Sequence, residues 1–257
     1  MLDTRLNKSK LSKKIEAIAE KYLLTHISAN KMTIIGLILG ILSSILFIFP
    51  YVLNLNSGFQ QALVLFETDV KNNSLIQAFR NSLYQAHLLN WTWQLGDTFF
   101  LLSLVMMLLS FTSDVFDGPL ARLKKPTIFG GILDIFCDRT VELALIIAIV
   151  FSDREKLGFP GSIAISSIVL CISIFLLIGG AVNRLQEKNL NQQAKVIFYS
   201  TGIMERTETF IFILLMMVFS IFRLFLLYLF AFLVFLTAFQ RFYNAYKMFY
   251  KKSSKTE

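Results

Sequence analysis

Apolar residues in this chain fall in long uninterrupted runs rather than at the spaced positions of a half-buried soluble helix. A helix rises about 1.5 Å per residue, so crossing roughly 30 Å of hydrocarbon takes about 20 apolar residues. Six stretches meet that requirement, at about 32–51, 98–120, 131–151, 161–182, 209–225 and 226–245. Only Ser220-Ile221-Phe222-Arg223 separates the last two. One helix through both would far exceed a bilayer's thickness, so a turn is expected at Arg223. Residues 2–25 interleave Leu6, Leu11, Ile15, Ile18 and Leu23 with lysines. This is the pattern of a basic amphipathic helix that lies on an anionic leaflet or packs on the rest of the protein. The expected fold class is all-α: a polytopic membrane protein with six transmembrane helices and an N-terminal amphipathic juxtamembrane helix. Its parts are a juxtamembrane helix over 1–31, a membrane domain over 32–247 with an insert at 52–97, and a basic tail over 248–257.

Composition agrees, since 55% of the residues are hydrophobic and 26 are Phe. The net charge of +8 informs orientation, because Lys and Arg favour cytoplasmic loops. They crowd before the first span, after the second (Arg122, Lys124, Lys125), between the fourth and fifth (Arg184, Lys188, Lys195, Arg206) and after the sixth (Lys247, Lys251, Lys252, Lys255). The opposite loops hold only Lys71, Arg80, Arg154, Lys156 and Arg223. Both termini are therefore expected in the cytoplasm. A basic chain can also bind nucleic acid, but these charges flank apolar spans instead of forming one stripe, so the partner expected is the lipid bilayer and not nucleic acid. No signal peptide is read, because the first apolar run follows a charged segment and lacks a small-residue cleavage site. Cys137 and Cys171 fall inside spans, where a thiol acts as a small apolar group, and no disulfide is assigned.

The second and third spans carry charges that a bilayer disfavours: Asp114 and Asp117 near the end of one, with Arg122 just beyond it, then Asp134, Asp138, Arg139 and Glu142 in the next. A carboxylate at bilayer depth costs about 2.5–3.5 kcal/mol on insertion scales, so the four aspartates should share a polar cavity with cations. Residues three or four apart share a helix face, which puts Asp114, Asp117, Gly118, Ala121 and Arg122 on one stripe and Asp134 with Asp138 on another. A short turn joins the helices, with Pro126 disfavouring helix at Lys125 and Gly130-Gly131 permitting close backbone approach. The stripes can converge. Four carboxylates match two divalent ions, and hard oxygen ligands suit Mg²⁺ or Mn²⁺. Two such ions recur in phosphoryl chemistry, where they stabilise the attacking and leaving oxygens of a displacement. Arg139 and Glu142, three apart, are expected to pair with each other.

The string Asp114-Val-Phe-Asp117-Gly118-Pro-Leu-Ala121-Arg122, followed by Gly130, Asp134 and Asp138, resembles the signature D-x2-D-G-x2-A-R-x7-8-G-x3-D-x3-D of the CDP-alcohol phosphotransferase family. Eight fixed positions agree. The resemblance implies an enzyme that moves a phosphatidyl group from CDP-diacylglycerol to an alcohol and releases CMP. It implies that Asp114, Asp117, Asp134 and Asp138 hold two Mg²⁺ or Mn²⁺ ions and that Asp138 is also the general base. Gly118 and Ala121 would leave room for the cytidine, Arg122 would pair with the donor phosphates, and Thr127 would supply a donor-binding hydroxyl. Ser28-Ala29-Asn30-Lys31-Met32-Thr33 resembles the family's P-N-x-x-T element, with Ala29 in place of Pro; this implies that Asn30 and Thr33 approach the diphosphate. Gly202 to Glu208 resembles a G-x-x-x-R-x-E element found in part of the family.

Arg206 and Arg241 lie near cytoplasmic helix ends, where the positive-inside bias alone explains them or where they grip a phosphate on the acceptor. A phosphorylated small alcohol, inositol phosphate or glycerol phosphate, fits the second reading. The family resemblance also implies a homodimer with its active site on the cytoplasmic side. Two other classes use intramembrane aspartates: prenyltransferases, whose aspartate motifs lie far apart in sequence, and ion or proton transporters, whose carboxylates line a path between both faces.

Overall fold

The computed structural model describes residues 28–55, 57–58, 93–124, 127–187 and 202–253. The expected juxtamembrane helix, Trp91 and most of the insert lie outside the described residues, as do the side chains of Ala121, Arg122 and Arg184. Helices α1 (Ala29–Val52), α2 (Leu95–Lys124), α3 (Ile128–Ser152), α4 (Arg154–Glu187), α5 (Arg206–Val218) and α6 (Arg223–Ser253) follow in order, with a 3₁₀ turn at Ser220–Phe222 before α6. Among the described residues there is no strand.

Local chemistry sets the helix ends. Ser28 is the N-cap of α1, its hydroxyl accepting from the Lys31 amide at 3.4 Å, and Thr127 caps α3 by accepting from the Gly130 amide at 3.0 Å. Each satisfies an amide that has no partner within its own helix.

Among the described residues, four helices are long and apolar enough to cross a membrane: Ala29–Val52, Leu95–Gly118, Arg154–Ala181 and Ser220–Lys247. Many of their large apolar side chains, Ile38, Ile45, Leu101, Leu177, Phe232 and Phe239 among them, point outward, as a hydrocarbon solvent permits. The other two expected spans differ for identifiable reasons. Helix α3 carries Asp134, Asp138, Arg139 and Glu142 along its N-terminal and middle turns. Helix α5 has only 13 residues, a rise of about 20 Å at 1.5 Å each, because its first turn begins at Arg206 and its last carbonyls meet Arg223.

Helix α1 packs along both α2 and α3, α4 packs along α6, and α5 touches α2, α3 and α6. The α1 face turned inward is small and polar: Thr33, Gly36, Gly40, Ser43 and Ser44 are buried, ahead of Phe47. These positions recur every three or four residues and form one stripe. Across it, hydroxyls of α2 and carbonyls of α1 form a ladder: Ser103 donates to Ser43 O at 2.9 Å, Ser110 to Gly36 O at 2.7 Å and Ser113 to Met32 O at 2.8 Å. Ser43 donates back to Ser103 O at 2.8 Å. Small residues let helix backbones approach, and hydroxyls bonded across the gap hold them in register. At Gly40 a Cβ would fall 2.5 Å from both γ carbons of Val141 on α3, so only glycine fits that crossing.

Arg223, counted from sequence among the loop charges on the far side of the membrane, is buried at 4% exposure. It caps α5. Its Nε donates to Met216 O at 2.8 Å and its Nη2 to Met217 O at 3.1 Å, while Nη1 reaches Ser152 Oγ at 2.9 Å and Tyr51 OH at 3.2 Å. The guanidinium also lies 5.3 Å from the Phe47 ring centre. One side chain thus ties the end of α5 to α1 and α3. Arg223→Met, which leaves buried carbonyls unpaired, is expected to destabilise the fold by about 3 kcal/mol. Arg223→Lys should recover only part of this, since an ammonium cannot reproduce the fork. Thermal unfolding of the purified protein reads both, and an unchanged midpoint in the Met variant would contradict the capping role.

Candidate metal and phosphate site

The aspartates meet where α2, α3 and α5 come together. Helix α2 delivers Asp114 and Asp117, and α3 delivers Asp134 and Asp138. Carboxylate oxygens of Asp114, Asp117 and Asp134 all lie within 4.8 Å of one another. Oxygens on opposite sides of an octahedral Mg²⁺ at about 2.1 Å would be about 4.2 Å apart, so the trio is close to a ligating arrangement without helix movement.

Asp117 is the most enclosed of the trio at 6% exposure, and its Oδ2 accepts from the Thr33 hydroxyl at 2.9 Å. That bond fixes the carboxylate from α1. Asp134 is the most open, with 37% of its side chain exposed. Asp138 joins the others through Arg206, the first residue of α5. One guanidinium nitrogen of Arg206 contacts both Asp114 and Asp138, and its other terminal nitrogen lies 3.5 Å from Asp134. A cation therefore stands where the acidic side chains converge, and a hard all-oxygen donor set of this charge fits divalent ions.

Arg139 and Glu142 form the expected ion pair, one turn further along α3. Gly130 has a structural reason to be glycine: a Cβ there would fall 2.9 Å from Thr127 Oγ1 and 3.1 Å from Asn30 Oδ1. The starts of α1 and α3 thus come together, carrying Asn30 and Thr127 to the same end of the bundle as the aspartates. The Thr127 hydroxyl is engaged in capping α3. A Cβ on Gly118 would meet nothing within 4 Å, so that position faces open space. Arg241 stands apart from the aspartates, with its Nη1 3.6 Å from Cys171 Sγ and its guanidinium 5.1 Å from the Phe175 ring centre.

Two cavities adjoin the cluster. The smaller, about 70 Å³, is walled largely by apolar side chains, with Phe111 and Phe210 stacked at 3.9 Å, and opens on Asp114 and Asp117. The larger, about 300 Å³, is ringed by Arg139, Glu142, Glu205, Arg206 and Arg241. Asp138, Glu142 and Arg206 line both cavities and so form the partition between them. Two features escaped sequence reasoning. Glu142 reaches both cavities, which the i,i+4 step from Asp138 could have flagged. Phe111 and Phe210, ordinary members of apolar runs, wall the smaller cavity, and no local signal marks them.

Residues 75–244 match the family model described as CDP-alcohol phosphatidyltransferase, a stretch that contains all four aspartates, Arg206 and Arg241 but not Asn30 or Thr33. Comparison with curated proteins gives no match.

Proposed function

Because the chain belongs to the CDP-alcohol phosphatidyltransferase family, and is a membrane transferase of phospholipid synthesis on that account, we propose that it joins CDP-diacylglycerol to a small phosphorylated alcohol. The observation that carries this reading is the convergence of Asp114, Asp117 and Asp134, with Asp138 on the partition between two unlike cavities.

The acceptor hydroxyl attacks the donor phosphorus that bears the diacylglycerol. A new P–O bond forms, the bond to the CMP phosphate breaks, CMP leaves, and Asp138 takes the hydroxyl proton. Divalent ions held by Asp114, Asp117, Asp134 and Asp138 would supply charge neutralisation for the diphosphate and the attacking oxygen. Thr33 orients Asp117, and Asn30, Gly118, Ala121, Arg122 and Thr127 serve the CDP end of the donor. The smaller apolar cavity suits the lipid side. The larger, with Arg139, Arg206 and Arg241 around it, suits an anionic acceptor such as inositol phosphate or glycerol phosphate, since guanidinium forks bind phosphate oxygens in pairs.

In this reading α3 and α5 also cross the bilayer, α5 together with the turn that follows it. The chain then has six spans, cytoplasmic termini, a cytoplasmic active site and a homodimeric assembly, with 1–31 and 248–257 as basic flanks of the membrane domain. Purified protein supplied with CDP-diacylglycerol, Mg²⁺ and a panel of alcohols should convert a phosphorylated acceptor to lipid product, identified by mass. Conversion of neutral alcohols alone would overturn the assignment of the larger cavity.

A further inference from the structure

Arg206 reaches Asp114 on α2 and both Asp134 and Asp138 on α3 with one planar group. It enters from the first residue of α5, and 30% of its side chain remains exposed. Behind it lies the cavity of about 300 Å³ that it also lines, with Arg139 and Arg241 on its walls. A guanidinium on these oxygens and divalent ions ligated by the same oxygens exclude each other, both by volume and by charge.

Resting on the reading of these carboxylates as divalent-ion ligands, we infer that Arg206 is a built-in counter-ion that occupies the metal seat until ions load and is then displaced into the larger cavity. In the metal-free protein it offsets the repulsion among Asp114, Asp134 and Asp138 and keeps α2 and α3 together. Loading the ions releases a third guanidinium to the side where Arg139 and Arg241 stand. A site whose competent form is only a fraction populated binds with an affinity reduced by that fraction, so the Arg206 seat lowers apparent metal affinity. The same exchange links the two cavities, because an anion that holds Arg206 on the larger-cavity side favours metal binding by the factor with which metal favours the anion.

The test is Mn²⁺ binding to the full chain in detergent, read by the EPR signal of free Mn²⁺. Arg206→Gln should bind Mn²⁺ about 10-fold tighter or more, the factor expected if the open seat is a tenth populated. Arg241→Gln removes the same charge from the same cavity without touching the aspartates, and should shift the affinity by no more than about 2-fold at the separation and screening involved. Equal tightening in both variants would show a general field effect and overturn the exchange, as would an Arg206→Gln affinity no tighter than wild type. If the Gln variant does not fold without metal, Arg206→Lys keeps the charge but loses the three-way contact; it should still bind Mn²⁺ tighter than wild type, and an equal or weaker affinity overturns the proposal. In chelator, Arg206→Gln or Arg206→Lys should melt below wild type, and saturating Mn²⁺ should remove the difference; a difference that persists in Mn²⁺ also counts against the exchange. Glycerol phosphate should raise the Mn²⁺ affinity of wild type and not that of Arg206→Gln, and an equal response in both would overturn the coupling. If no form of the protein binds Mn²⁺, the underlying reading of the aspartates fails instead, and the proposal with it.

Discussion

Asp138→Asn is expected to lower CMP release from CDP-diacylglycerol by about 10²–10⁴-fold, the usual worth of a positioned general base. Asn has nearly the shape of Asp and keeps an oxygen for Arg206, so the partition between the cavities should survive. What it loses is the capacity to take a proton and one negative charge from the set proposed to hold the ions, so turnover is compared at saturating Mn²⁺. Thermal unfolding should therefore move little while turnover collapses, and KM for the donor should change less than kcat, because the proton is transferred only as the new P–O bond forms. Of the four aspartates Asp138 is the one that lines both cavities, and Glu142, which also lines both, is held by Arg139. Asp138 lines the smaller cavity beside Asp114 and Asp117 and the larger cavity beside Arg241, the position a base needs if the proposed acceptor enters from one side and the donor from the other. Near-normal turnover in the Asn variant would assign the proton to another group.

The second large effect is expected at Asp117. Its carboxylate is nearly sealed from solvent and held by the Thr33 hydroxyl, so no water can readily replace a lost ligand oxygen. Asp117→Asn should weaken Mn²⁺ binding by about 100-fold or more, since ligand charge moves metal affinity through orders of magnitude. CMP release should fall with it and recover only in part at high Mn²⁺. Thr33→Val removes the group that aims Asp117 rather than the ligand itself, and should cost about 10-fold in Mn²⁺ affinity, the low end for partners of ligating groups. A Thr33→Val effect as large as that of Asp117→Asn would place Thr33 on the ion or the substrate directly. If neither variant alters Mn²⁺ binding, the ions sit elsewhere.

The convergence of the aspartates was legible from residue spacing because helix periodicity fixes which side chains share a face, and a short turn between two helices leaves few ways to pack them. The paired Arg139 and Glu142 follow from the same rule. The apolar runs of α1, α2, α4 and α6 were equally plain, since length and apolarity carry the signal. Helix α5 was read too long because its C-terminal limit depends on Arg223, which acts as a cap only when α1 and α3 bring Tyr51 and Ser152 beside it. A hydropathy pattern sees an arginine after an apolar run and assigns it to a loop. The small-residue stripe of α1 has a local signal, Gly36 and Gly40 four apart in an apolar run, but its partner does not, because only the fold brings the α2 serines opposite it. The seat of Arg206 is long-range in the same sense, separated from Asp138 by 68 positions. Aspartate motifs far apart in sequence, as in prenyltransferases, and a path open to both faces, as in a transporter, both give way to the family to which residues 75–244 belong.

The most direct measurement is CMP release by the purified full chain given CDP-diacylglycerol and glycerol phosphate or inositol phosphate, with divalent ions first stripped by chelator and then restored. Release should be absent in chelator, return with Mg²⁺ or Mn²⁺, and fail to return in a variant carrying Asn at Asp114, Asp117 and Asp134 together. Release that continues without divalent ions, or that the triple variant sustains, would contradict a reaction centred on these carboxylates.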